Sequence, residues 1–154
     1  VRLERLLLAV LLGLSIEAPV FAGDPRFADY KVAVETIRTP HIDLRSNPVG
    51  RKYRSQIRST VKMQGVNFAG HCTVVRWGCG TNCTYIAIVD LRNGRIWHDP
   101  DLIASRDFVF HPDSSLLIVD PWDGPGDFLP DVPTEYYVFR GGKLRRVLLV
   151  KHTR

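Results

Sequence analysis

The sequence predicts a mainly β domain with one helix. It is expected to be a twisted antiparallel sheet or small β-sandwich built from consecutive hairpins, with a helix over about residues 48–64 packed beside it. Three observations predict this. Short apolar runs separated by turn residues recur around Gly94, Pro112 and Gly142, and repetition of strand, turn and strand builds antiparallel sheets. Val49, Tyr53, Ile57 and Val61 recur every four residues, as one stripe of a helix does. Residues 67–97 hold all three cysteines and two of the three tryptophans, and read as two apolar strands joined by a Gly/Cys loop.

Taken in order, residues 1–22 stand apart from the domain. Arg2 and Arg5 make a positive start, and residues 6–16 are an apolar run broken only by Gly13 and Ser15. Val20, Phe21 and Ala22 then put small or branched side chains where a signal peptidase reads. The apolar run is too short to span a bilayer comfortably. The expectation is a signal peptide over 1–22 cleaved after Ala22, and a single domain over 23–154. The location follows as periplasmic or secreted in a bacterium, with no transmembrane segment once the signal is removed. The net charge is +5, and removal of Arg2, Glu4, Arg5 and Glu17 together leaves it unchanged. Such a surplus suits nucleic acid, anionic lipid or anionic wall polymers and equally suits plain solubility; no specific nucleic acid is expected as partner. A mature chain of about 130 residues can bury a core without many covalent staples.

Residues 24–29 read as a loop or loose first turn, and residues 30–36 alternate as a half-buried strand does. Ser46, Asn47 and Pro48 signal a helix start, a capping side chain followed by proline in the first turn. Gly65 is the expected terminator. The other faces of this helix carry Arg51, Lys52, Arg54, Arg58 and Lys62 with no acid among them. That face is either a surface for an anionic partner or a solvated outer side.

In residues 68–77, strand alternation puts Phe68, Gly70, Cys72, Val74 and Arg76 on one face. Ala69, His71, Thr73, Val75 and Trp77 then share the other. Gly70 in such a run signals a bulge or the close approach of another backbone. Residues 85–91 read as an apolar strand buried on both faces, Asn93-Gly94 as a two-residue hairpin turn, and residues 96–98 as the returning strand. Residues 107–110 and 116–120 form a second unit about Pro112 and Asp113. Residues 135–140 and 144–150 close the chain around Gly141-Gly142. Between these units, residues 121–133 are rich in proline and aspartate around Trp122, and a loop of that length is usually functional or mobile. Two of the segments look like blade edges of a β-propeller, but the mature chain supplies about three blades where a propeller needs at least four.

Three cysteines in an exported chain invite one disulfide and leave one thiol over. Cys79–Cys83 is the favoured pair, and Cys72–Cys83 stays open if the hairpin sets those strands opposite. A ring of about five residues contributes roughly 2 kcal/mol in the chain-entropy model, so this bond stiffens a loop more than it holds a fold. Zinc ligation by Cys79, Cys83 and His71 or Cys72 is one sharper reading. A Cys72 nucleophile with His98 or His111 as base is another. His71 is set aside as that base, because neighbours on a strand point to opposite faces. The plain reading makes Cys72 a small buried apolar side chain.

At Phe68-Ala69-Gly70-His71 and Thr73-Val74-Val75-Arg76-Trp77-Gly78-Cys79-Gly80-Thr81-Asn82-Cys83 the chain resembles a group of small, exported, mostly uncharacterised bacterial proteins. Their pattern runs F-A-G-x-aromatic-T-V-V-x-W-G-C-G-x-x-C. Later segments also look like that group: Val89-Asp90 with Gly94, Asp113-Ser114 with Leu116-Leu117-Ile118-Val119, and Tyr136-Tyr137. The resemblance implies an envelope location and pairing of Cys79 with Cys83. It implies no activity. This chain departs from the pattern at Cys72, where the group has an aromatic. In size and exported β-rich form it is also similar to periplasmic lysozyme inhibitors, a similarity of architecture that transfers function poorly.

No catalytic set emerges. The acids Asp90, Asp99, Asp101 and Asp113 sit in turns rather than as a facing pair, no Gly-rich phosphate cradle precedes a helix, and no serine occupies a nucleophile elbow. No metal and no cofactor is expected. The reading is a binding or inhibitory module of the cell envelope acting through a disulfide-pinned loop. Its expected binding residues are His71, Arg76, Trp77 and Asn82, with Trp122 added from the Pro-rich loop, since tryptophan and arginine dominate binding hot spots. The partner would be an envelope protein or a cell-wall fragment. The alternatives are a small envelope enzyme acting on cell-wall or thiol substrates, and basic-surface binding to anionic polymers.

Overall fold

A strand that is apolar at every position needs cover on both faces, and residues 86–89 receive it. The computed structural model describes residues 23–124, 127–129 and 131–152; the expected signal peptide over 1–22 lies outside the described residues. Strands β1 (Cys72–Gly80) and β2 (Cys83–Asp90) form an antiparallel hairpin. Two short strands, β3 (Ile96–Trp97) and β4 (Ile103–Ala104), both pair antiparallel with β2. A second sheet follows the chain as an antiparallel meander: β5 (Phe108–Phe110), β6 (Leu116–Val119), β7 (Thr134–Arg140) and β8 (Lys143–Val150). The mainly β fold built from consecutive hairpins is therefore the one observed.

Alternation along β1 and β2 feeds two separate cores. Cys72, Val74, Ile86 and Ile88 pack against Phe108, Leu117, Val119 and Phe139 of the second sheet. Val75, Trp77, Ala87 and Val89 pack against Val49, Ile57 and Val61 of the helical layer. Ile86, Ala87, Ile88 and Val89 are each at most 1% exposed. Full burial of a side chain such as isoleucine or valine contributes about 1.5–3 kcal/mol, so this strand anchors both layers.

The helical layer begins as the sequence indicates. The Asn47 Oδ1 accepts the Val49 N–H at 3.0 Å and Pro48 occupies the first turn. The expected single helix is divided into α1 (Pro48–Lys52) and α2 (Arg54–Gln64) at Tyr53, whose φ of −110° and ψ of 28° interrupt the helical run. There the Tyr53 ring stacks on Trp77 with centroids 4.4 Å apart. Gly65 ends α2 at φ 55°, its N–H bonding the Val61 carbonyl at 3.0 Å.

Three expectations are corrected. Residues 30–36 form no strand: a 3₁₀ turn over Phe27–Tyr30 leads into extended chain whose Val32 and Glu35 N–H groups bond the carbonyls of Asp113 and Gly70. Their alternation is satisfied against turns rather than a neighbouring strand. The turn after β2 spans four residues instead of two, closed by the Asp90 N–H on the Arg95 carbonyl at 3.0 Å. It is widened because Asp90 Oδ1 accepts the Arg92 N–H while the Gly94 carbonyl accepts from Asp43. Finally, β1 starts at Cys72 and not at Phe68. Residues 68–72 make a tight turn in which the Cys72 N–H bonds the Phe68 carbonyl at 2.9 Å, with Ala69 and Gly70 at φ 50° and 78°.

Gly70 meets the close approach expected of it. A Cβ there would stand 2.3 Å from the Ala33 carbonyl oxygen, on a left-handed backbone. Gly141 shares the positive φ, at 58°, but faces open space. A left-handed alanine costs about 1–2 kcal/mol. Gly141→Ala should lower the unfolding free energy by about that much, and Gly70→Ala by distinctly more. Urea melts with unchanged slope check the ranking.

Candidate functional site

The antiparallel register sets Cys72 directly opposite Asp90, and opposed side chains on one face of a strand pair stand about 4.5–5.5 Å apart at Cβ. The turn over residues 68–72 then curls His71 back toward them. As a result the ligating atoms of His71, Cys72 and Asp90 all lie within 4.8 Å of one another, with His71 Nε2 3.8 Å from Asp90 Oδ2. The expectation that His71 and Cys72 face apart is overturned, because residue 71 belongs to a turn and strand alternation does not govern it. Asp90 is held in place by the Arg92 N–H on Oδ1 at 3.0 Å and the Asn93 amide on Oδ2 at 2.9 Å.

The Cys72 thiol is completely buried. Burial, and then the negative charge of Asp90, push its pKa far up, so it stays a neutral thiol and a poor nucleophile. His98 and His111 are elsewhere: His98 Nδ1 lies 2.7 Å from the Ile86 carbonyl oxygen, and His111 stacks on Phe27. Neither serves Cys72 as a base. Cys79 and Cys83 are joined in a disulfide with Cα atoms 5.1 Å apart, leaving Cys72 free. That removes both the Cys72–Cys83 alternative and any zinc set drawn from Cys79 and Cys83. The three gathered donors His71, Cys72 and Asp90 are the ones with metal-binding spacing among the described residues.

His71 and Asp90 also line an open groove of about 740 Å³ beside the turn after β2 and the β7–β8 turn. Ile88, Ile96, Trp97 and Phe139 give it an apolar lining, and Arg92, Arg95, Arg140 and Lys143 supply cations against the single acid Asp90. Arg92 is occupied by Glu35, with Nε 3.0 Å from Oε2 and a second bond between NH2 and Oε1. The Arg92 guanidinium holds the Glu35 carboxyl below its ordinary range. Among the described residues no carboxylate pairs with Arg95, Arg140 or Lys143.

The expected binding residues do not form one surface. At the hairpin tip Asn82 is exposed, at φ 50°. Trp77, however, is only 7% exposed, packed against Tyr53, and its buried Nε1 has no hydrogen-bond partner among the described residues. Arg76 pairs with Asp107 at 2.6 Å and lies over the Phe110 ring. His71 is at the opposite end of β1, and Trp122 stacks on His152 just past β8. Arg51, Lys52, Arg54, Arg58 and Lys62 are all exposed on the helical layer. No helix among the described residues is long and apolar enough to cross a membrane.

Sequence reasoning missed Arg106, which no periodicity or motif marks. Its guanidinium is buried and ion-paired with Asp127 at 2.7 Å, and it donates to the carbonyls of Asp120 and Val132 at 3.2 Å and to that of Leu129. Asp127, Leu129 and Val132 of the Pro-rich loop are therefore tied to Arg106. In sum, the architecture is a two-sheet β-sandwich with a helical layer and a ligand-sized cationic groove. Comparisons with family models, with curated proteins and with solved structures gave no match.

Two outcomes follow from this geometry. The native oxidised protein should hold one thiol that resists alkylation at neutral pH and reacts stoichiometrically in denaturant, as mass spectrometry will count. Arg106→Met should raise the rate of chymotryptic cutting in residues 121–133 by at least about tenfold, since hydrogen bonds from a charged group contribute about 1.5–3 kcal/mol each. In the wild type the Asp127 carboxyl is held below its ordinary range, chiefly by the Leu129 N–H. Its contribution is thus present above the unfolded value of about 3.9 and is lost as pH falls through the lower folded value. Loop cutting should accordingly stay slow at pH 5 and rise only in stronger acid, tested with an acid-stable protease.

Proposed function

We propose that this protein is a binding module of the bacterial cell envelope, and that it takes an anionic cell-wall fragment in the groove between the two turns. One observation carries the reading: a concavity of ligand size in which four cationic side chains face one acid. Three of those cations have no ion-pair partner among the described residues. Unpaired exposed cations add little to stability and are available to carboxylates or phosphates of a ligand. Trp97 and Phe139 supply the apolar surface that orients the uncharged part. An envelope location is supported by the character of residues 1–22 and by the disulfide, a bond of oxidising compartments.

The hairpin tip is the weaker site, because Trp77 is turned inward and Arg76 is already paired. A second reading has its own observation: the five exposed bases of the helical layer suit a long anionic polymer.

Isothermal titration with soluble, carboxylate-bearing wall fragments tests the groove. Arg140→Ala with Lys143→Ala, both exposed at the strand ends flanking the Gly141-Gly142 turn, should weaken binding at least about tenfold without shifting the melting temperature, and added salt should weaken it further. Charge reversal of Arg51, Arg54 and Arg58 should leave it unchanged. Undiminished binding in the groove variant, or loss only in the helix variant, would transfer the function to the polymer surface.

A further inference from the structure

We propose that His71, Cys72 and Asp90 form a zinc-binding site at the wall of the groove. Four observations converge on it. The ligating atoms of the three side chains already lie within 4.8 Å of one another. Zinc bonds of about 2.0–2.3 Å at tetrahedral angles set donor atoms roughly 3.3–3.6 Å apart. His71 Nε2 and Asp90 Oδ2 are 3.8 Å apart, too far for a hydrogen bond and near the separation a shared ion imposes. Drawing all three donors to that spacing takes side-chain shifts of up to about 1 Å.

The donor set selects the metal. Zinc binding would release the Cys72 proton to solvent, because a coordinating thiol is deprotonated; one thiolate, one imidazole and one carboxylate then carry two negative charges, which the divalent ion neutralises. The sulfur disfavours magnesium and calcium, which prefer all-oxygen sites. The supporting shell is present as well. Asp90 receives bonds from the Arg92 N–H and the Asn93 side-chain amide, and the His71 carbonyl accepts from the Leu91 N–H. The Asp90 carboxylate is thus oriented by donors of the turn after β2, as outer partners hold metal ligands in general, and the same turn fixes the backbone of His71.

Three protein ligands leave a fourth tetrahedral position open, the pattern of zinc centres that act on a bound molecule. His71 and Asp90 line the groove while Cys72 lies behind them, so that position faces the groove. With the Cys72 proton released, the bound ion would cancel the Asp90 charge that the cationic rim otherwise faces. This inference does not depend on the identity of the groove's ligand.

The test uses the full chain with its disulfide intact, so that Cys72 is the one thiol able to ligate. Zinc affinity is measured by competition with a chromophoric chelator, and cobalt(II) is used as a spectroscopic probe. The expected result is one zinc per chain, weakened at least about 100-fold in His71→Gln and in Asp90→Asn, a loss that outer-shell changes alone approach. Cobalt should give a near-ultraviolet sulfur-to-metal charge-transfer band that Cys72→Ser abolishes. Circular dichroism establishes that each variant is folded, and His71, a partly buried side chain outside the hydrophobic clusters, gives a variant that leaves the core in place. Zinc uptake should persist in the Arg140→Ala, Lys143→Ala protein, which separates this site from the anion-binding reading. No zinc uptake, uptake of equal strength in the His71 and Asp90 variants, or bound cobalt lacking the thiolate band would each overturn the proposal.

Discussion

The enclosure of β2 is the constraint on which the rest of the molecule depends. Its backbone is paired with β1 on one side and with β3 and β4 on the other. Its side chains divide between two cores, Ile86 and Ile88 toward the second sheet, Ala87 and Val89 toward the helices. A slip of one residue would exchange the two sets, placing alanine and valine where the sheets need isoleucine. The register is therefore held from the middle of the strand. Its far end inherits that register, which is why Cys72 stands opposite Asp90.

At that end the core reaches into the flanking turns, where Phe68, Ala69, Cys72 and Leu91 are buried. Residues 68–72 reverse direction within one tight turn, possible because Gly70 takes a left-handed backbone against the Ala33 carbonyl. The opposite turn, after β2, is fastened by the Asp90 carboxylate and by the Gly94 backbone on Asp43. Two turns held from outside the sheet bring an imidazole, a thiol and a carboxylate together beside a groove. None of these groups is a large apolar side chain; His71 and Asp90 line the groove while Cys72 stays buried behind them.

The other polar anchor is Arg106. A buried guanidinium requires partners for its donors; here three backbone carbonyls accept from its terminal nitrogens, and the Asp127 carboxylate lies against Nε as an ion pair without hydrogen-bond geometry. A loop dense in proline has few N–H groups with which to fold on itself, and an arginine reaching its carbonyls from outside is an efficient substitute. The same residue thereby links the entry to β5 with the segment that precedes β7.

The strands β1, β2 and β5 to β8, the helix stripe, the Asn47 cap, the Gly65 stop and the Cys79–Cys83 bond were legible in the sequence, because each is a local matter of period, capping or loop length. Residues 30–36 were misread because alternation reports a half-buried extended chain without saying whether a strand lies beside it. Trp77 and Arg76 were legible as residue types, but not whether their surfaces were free; Tyr53, Asp107 and Phe110 come from distant segments and occupy them. Arg106 carried no local signal, since its partners lie 14 to 26 residues away. The sequence by itself determined the class of fold and the covalent ring, through forces acting between near neighbours. Only the tertiary structure decided that His71 joins Cys72 and Asp90 and that four cations share one groove, because long-range register and a left-handed glycine turn set those positions.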